Sequence, residues 1–456
     1  MKILLKGGYV VSADGVKKSD VLINGEIIER VEPDIICNDA EITDVSEKLL
    51  FPGFIDAHTH FDLEVANTVT ADDFYTGSKA AIKGGTTTII DFATQNKGET
   101  LLEALKNWHK KADGKTSCDY GFHMAISDWN KNVSDELPLM FENGISSFKL
   151  YMTYPAMMLN DREIYEVLKR LKELSGIAGV HCENSGVIDA LIAEKKAQGE
   201  NSVSCHYKTR PAILEAEAIS RLLKIAQTAQ SDIIIVHLSS KLGFDEVLHA
   251  RKTMKNRIYL ETCPQYLTMT DSLYNLEGFE GARYVCAPPL RKQEDIDTLW
   301  KCLKNGDIDT ISTDHCSFTL KQKEMGISDF TKIPGGIPGV ETRGVLIYTC
   351  GVASGKITPE QMCGYLSENP AKLYGLYPKK GCIKAGSDAD ITVYDTKKDS
   401  VITAKNQLQN TDYAPFEGFK TKGSVASVYL RGRKVFDGKT VVEKTGQYLK
   451  RGKYNL

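Results

Sequence analysis

The sequence predicts an α/β protein, a (β/α)₈ TIM-like barrel with a small β-sandwich domain formed by both chain termini. Three observations predict it. Eight short apolar, β-branched runs cross the middle of the 456 residues, helical spacing separates most of them, and both ends read instead as short strands punctuated by turns. Strands alternating with helices pair in parallel through right-handed crossovers. Eight such units close into a barrel whose chemistry sits at the C-terminal ends of its strands.

Residues 1–50 form the N-terminal part of the sandwich. Runs at Ile3 to Val11, Asp20 to Ile23 and Glu26 to Val31 are separated by Asp14-Gly15 and Asn24-Gly25, which are hairpin turn pairs. Residues 51–380 form the barrel, with strand-like runs near 54–60, 86–92, 121–126, 147–153, 177–182, 233–238, 257–262 and 309–314. Between them Leu101-Leu102-Ala104-Leu105 and Ile164-Val167-Leu168-Leu171 show the helical repeat, and the seventh connection is long and irregular. Residues 381–456 supply the rest of the sandwich and a C-terminal tail, with strands at Ala389 to Tyr394 and Ser427 to Val435.

Composition narrows the class. A net charge of −3 gives no basic surface for nucleic acid. No apolar run approaches the ~20 residues of a membrane span. Eleven cysteines, none in a C-x-x-C pair and with no secretory signal ahead of them, read as reduced thiols in a cytoplasmic protein.

The chemistry collects at strand ends. The first run finishes in Asp56-Ala57-His58-Thr59-His60, where the i and i+2 side chains share a face. His181 closes Ile177-Ala178-Gly179-Val180, His237 closes Ile233 to Val236, and Asp314 ends the eighth run. Imidazoles and a carboxylate are the donor set for zinc or a similar divalent ion. Four histidines and an aspartate exceed one open tetrahedral site, so two metals are expected. Lys149, at the end of the fourth run, is the candidate bridge. Burial beside cations favours its neutral amine, which can add carbon dioxide and become a bridging carbamate. Standing alone, a strand lysine is more often a solvated charge. His109, His123, His206 and His249 are read as structural.

These residues and the blocks around them resemble the dihydropyrimidinase and D-hydantoinase branch of the amidohydrolase superfamily. The resemblance runs from Pro52-Gly53-Phe54-Ile55-Asp56-Ala57-His58-Thr59-His60 through Glu261-Thr262-Cys263-Pro264-Gln265-Tyr266, Pro288-Pro289-Leu290-Arg291 and Thr313-Asp314-His315-Cys316 to Gly386-Ser387-Asp388-Ala389-Asp390. Asp412-Tyr413-Ala414-Pro415-Phe416-Glu417-Gly418-Phe419 places it nearest the bacterial phenylhydantoinases. The resemblance implies two zinc ions held by His58, His60, His181, His237, Asp314 and carboxylated Lys149. It also implies that Tyr154 assists the substrate carbonyl and that Asp314 moves the protons of a ring-opening hydrolysis. The substrate would be a small cyclic ureide, the product an N-carbamoyl amino acid, and the assembly a homotetramer.

Two positions depart from the pattern. Ala287 and Gly335 stand where serine and asparagine are usual, and the ring contacts survive only where main-chain groups make them. Dihydroorotases carry arginine where this chain has Asp62, allantoinase is less easily set aside, and non-catalytic scaffold relatives lack ligands that are all present here. The loops after the first and fourth strands offer Leu63 and Met157 as an apolar pocket for the ring substituent.

Overall fold

A computed structural model describes residues 2–454. Its barrel strands are β1 (Phe54–Thr59), β2 (Thr86–Thr94), β3 (Asp119–Ala125), β4 (Ser147–Tyr151), β5 (Ile177–His181), β6 (Ile233–Ile235), β7 (Ile258–Thr262) and β8 (Thr310–Ile311). They hydrogen-bond in chain order and all in parallel. Every residue in them is buried, because the barrel interior covers one face and the helices the other. The helix Asp161–Leu174 shows how the outer layer forms. Asn160 and Glu163 make a reciprocal capping box, and Ile164, Val167, Leu168 and Leu171 bury one stripe against the sheet. In Leu101–Ala112 the buried stripe is Leu101, Ala104, Leu105 and Trp108, while Leu102 faces solvent. No helix among the described residues is long and apolar enough to cross a membrane.

Two strands are shorter than their apolar runs. β6 stops at Ile235 and β8 at Ile311, and His237 and Asp314 then take left-handed backbone, with φ of 40° and 53°. After β7 the chain makes a short helix, Pro264–Thr268, and two 3₁₀ turns before the helix Gln293–Asn305, which is the irregular connection expected there.

The two ends of the chain join one eight-stranded sheet. Leu49–Pro52 pairs in parallel with Lys2–Ser12 on one side and antiparallel with Ile391–Asp395 on the other. Ile3, Leu5, Val21 and Ile23 share a core with Ile391, Val393 and Tyr429, so neither terminal segment buries its apolar face alone. Buried charges tie the barrel to this sheet. Lys380 Nζ lies 2.8 Å from Asp119, 3.1 Å from Asp388 and 2.7 Å from Asp390. The C-terminal tail pairs with its own barrel. Leu449 N donates to Tyr120 O at 2.7 Å and Arg451 N to Gly144 O at 3.0 Å.

The barrel closes where β8 meets β1. A single parallel bridge, Thr59 to His315, spans the seam, with His60 N donating to His315 O at 2.8 Å. Arg343, fully buried, fills the gap behind it. Its Nη1 donates to Ile55 O at 2.8 Å and Ile311 O at 2.9 Å, its Nη2 to Thr86 Oγ1 at 3.1 Å, and its Nε lies 3.9 Å from Asp56 Oδ2. Arg343→Met removes these bonds and leaves Asp56 without its countercharge. The expected cost is about 3–5 kcal/mol of unfolding free energy. Chemical denaturation of the purified variant measures it, and a loss below about 1 kcal/mol contradicts this account of the seam.

Candidate metal centre

The seam positions the first three side chains. Asp56 Oδ1 accepts from Thr313 N at 3.1 Å and Oδ2 from Thr313 Oγ1 at 2.7 Å, which locks the residue before Asp314 onto β1. His58 and His60 project from the end of β1, and each Nε2 lies 3.2 Å from Asp314 Oδ1. Asp314 is held well below the ordinary carboxylate range: burial opposes this, and the two histidines outweigh it. Burial lowers His60 to about 4, so its ring is neutral and offers a lone pair at pH 7.

His181 ends β5, and His237 lies two residues beyond β6. Their ring centroids are 4.5 Å apart, and His237 is 5.5 Å from the His58 ring. Donor atoms of His58, His237 and Asp314 all lie within 4.8 Å of one another, an arrangement that can hold a metal ion. Two carboxylates outside this ring set which nitrogen is free. His58 Nδ1–H donates to Glu261 Oε1 at 2.6 Å and His181 Nε2–H donates to Glu183 Oε2 at 2.7 Å. That leaves Nε2 of His58 and Nδ1 of His181 as lone-pair donors, the usual service of an outer carboxylate to a metal histidine.

Lys149 lies at the centre of β4 and is 1% exposed. Its Nζ is 3.5 Å from His58 Nε2 and sits over the rings of Phe92 and Tyr151 at 5.1 and 5.2 Å. Among the described residues it has no ion pair with a carboxylate. Burial lowers its pKa to about 8, against the opposing pull of Asp314 and Glu261. Tyr154 follows β4 with φ 66°, its ring centroid 5.2 Å from that of His181. Burial, and then Glu183, raise its pKa well above 10, so the phenol keeps its proton and can donate.

The remaining predicted positions are placed less uniformly. Ala287 is half-buried in a loop after β7, and Gly335 is exposed with nothing within 4 Å of where a Cβ would stand. Met157 is half-buried, its N–H bonded to Tyr154 O at 2.8 Å. Leu63 is 9% exposed and belongs to the main core, and its neighbour Phe61 packs against Phe74 and His315 instead of facing the mouth. A basic residue does reach the loop after β4, since Lys97 Nζ donates to Pro155 O at 3.1 Å.

Of the histidines read as structural, His123 is enclosed between Ser147 Oγ and Ala57 O. His206 donates to Cys286 O at 2.7 Å, beside Ala287. The sequence reading passed over Asp56, Glu183, Glu261, Lys323 and Arg343. For Asp56, Glu183 and Glu261 a charged residue inside or directly after an apolar strand was the available signal, because such groups are buried only with partners.

Comparison with known proteins agrees with this geometry. The amidohydrolase family profile matches residues 49–435. A D-hydantoinase of Geobacillus stearothermophilus is 42% identical over 459 residues, covering all of this chain and 97% of its own. A D-phenylhydantoinase of Escherichia coli is 39% identical, covering 98% of this chain and 97% of its own. The crystal structure of a dihydropyrimidinase from Brevibacillus agri superposes with a TM-score of 0.98 at 41% identity, covering 100% of this chain and 99% of that one.

Glu261→Ala frees the His58 ring to turn and to change tautomer. Divalent-metal affinity, read by competition with a chelator, is expected to fall about 10–100-fold. An unchanged affinity removes Glu261 from the centre.

Proposed function

We propose that this chain, which belongs to the amidohydrolase family, opens the ring amide of hydantoins or dihydropyrimidines by metal-dependent hydrolysis and releases N-carbamoyl amino acids. The observation that carries this reading is the convergence of His58, His60, His181, His237 and Asp314 around a buried lysine without a counter-ion, in a chain alignable end to end with D-hydantoinases.

The residues fit a binuclear zinc centre. Nitrogen and carboxylate donors at a buried mouth suit zinc, and their number exceeds what one ion with an open position uses. Lys149 fits the carboxylated form. A bare ammonium there has no carboxylate partner among the described residues, whereas its neutral amine is within reach at a pKa of about 8 and can add carbon dioxide. The carbamate is an anion with two oxygens, able to serve both ions. When bound, zinc supplies Lewis acidity to the ring carbonyl and to the attacking water.

The chain's own groups do the rest. Asp314, deprotonated, takes the proton of the water as oxygen adds to the ring carbonyl carbon. It returns that proton to the ring nitrogen as the C–N bond breaks. The Tyr154 hydroxyl donates to the carbonyl oxygen as negative charge develops there. Main-chain groups at Ala287 and Gly335 hold the ring amide, and the open space at Gly335 is consistent with a backbone contact. Met157 borders the substituent, and the assembly proposed is a homotetramer.

A panel of cyclic ureides and imides tests the reading. Ring opening of 5-aryl or 5-alkyl hydantoins, faster than of carboxylated ones, is expected. No ring opening of any hydantoin or dihydropyrimidine by the zinc-loaded protein defeats it.

Intact-mass and metal analysis should give two zinc ions per chain and one added carbon dioxide on Lys149. The metal-free protein should take up carbon dioxide more completely as pH rises through about 8, because only the neutral amine reacts. Lys149→Ala should be inactive and partly rescued by short carboxylic acids; zinc binding with an unmodified Lys149 contradicts the assignment.

For Tyr154→Phe, kcat should fall on the order of 10²–10³-fold at unchanged zinc content. Near-normal turnover would remove the hydroxyl from the reaction.

A further inference from the structure

Lys323 has no part in the chemistry above, yet it is fully buried and has no carboxylate partner among the described residues. It ends the single helical turn Leu320–Lys323, on the segment that follows Asp314. Its ammonium donates to three carbonyls: Val285 O at 3.0 Å, Pro334 O at 2.7 Å and Gly336 O at 2.7 Å. An ammonium has three N–H groups, and all three are used. The acceptors are informative by position. Val285 stands two residues before Ala287, and Pro334 and Gly336 flank Gly335 on either side.

The two loops are also joined to each other and to the metal side of the mouth. Gly336 N donates to Val285 O at 2.9 Å, and Cys316 N donates to Ile337 O at 3.2 Å. Gly336 has φ 148°, and a Cβ on it would collide with Cys316 O, so the loop lies hard against the chain two residues beyond Asp314. His206 fixes Cys286 O from the opposite side. One cation therefore sets the distance between the two ring-holding peptides and, through Cys316, their distance from Asp314.

Stability does not explain a charge here. Replacing a buried ionic group by an apolar side chain of similar volume is often neutral or stabilising. What an apolar side chain cannot do is hold three carbonyl oxygens converged on one point.

We propose that Lys323 is a positioning residue for the substrate ring, tying together the backbone on which Ala287 and Gly335 hold the ring amide. The proposal rests on the reading that main-chain groups at those two positions make that contact. A cycle between enzyme and substrate tests both. Kinetics of the zinc-loaded wild type, Lys323→Met and Lys323→Gln are measured on a 5-substituted hydantoin and on the same compound methylated at the ring amide nitrogen. In the wild type, methylation is expected to lower kcat/KM about 100-fold or more, because it breaks a backbone contact. In Lys323→Met the parent substrate's KM should rise about tenfold with kcat changed by less than about threefold, since a contact made equally in ground and transition states is lost. The methylation penalty should shrink by the same factor, with zinc content unchanged and Lys323→Gln intermediate. A wild type indifferent to methylation overturns the main-chain reading and the proposal with it. A large wild-type penalty that persists undiminished in both variants overturns the role of Lys323 alone. If neither variant folds, Lys323 belongs to the fold and the proposal is likewise overturned.

Discussion

The closure of the barrel between β8 and β1 is the constraint on which the site depends. Parallel strands elsewhere in the ring share ladders of two to seven residue pairs, but this seam has one bridge among the described residues. Side chains complete it: Asp56 grips Thr313, and Arg343 spans Ile55, Ile311 and Thr86. The histidine pair and Asp314 come from opposite sides of that seam, more than 250 residues apart in sequence. A slip of one residue there would reverse the inward and outward faces. His58 and His60 would then lose Asp314 together.

The mouth also shows three solutions to burying charge. Glu183 and Glu261 each accept an imidazole N–H, and in accepting it they decide which ring nitrogen stays open. Lys323 is satisfied by three carbonyls. Lys149 has no carboxylate partner among the described residues, and its Nζ lies against His58, Phe92 and Tyr151. In the proposed metal centre, a carbamate on Lys149 would relieve the cost of a buried ammonium. The difference between the two lysines lies in their surroundings, since both sit in buried positions of the same barrel.

Three left-handed residues lie at the same place. Tyr154, His237 and Asp314 all have left-handed φ, which non-glycine residues seldom adopt. Each lies just beyond a barrel strand, and the turn that starts there is sharper than an extended strand allows. Strain of this kind persists only where surrounding contacts over-determine it. Here those contacts include the Glu261 bond to His237 N at 3.3 Å and the Thr313 bonds to Asp56.

The sequence by itself determined the barrel, its eight strand positions and the identity of the side chains at their ends. Those features are local: apolar runs, helical spacing and a ligand-type residue closing a run are visible within ten residues. His58, His60, Lys149, His181, His237 and Asp314 were all legible as candidate ligands for that reason. Tyr154, Ala287 and Gly335 were legible only through the resemblance. Tertiary structure alone decided how these groups are held. Glu261 meets His58 across 203 residues, Arg343 meets Ile55 across 288, and Lys323 joins two loops that no periodicity relates. It also decided that β6 and β8 end early, and that Leu63 turns into the core although its composition suited a pocket. Partners of buried polar groups are chosen by three-dimensional proximity, and an apolar residue in a loop carries no mark of which side it will face.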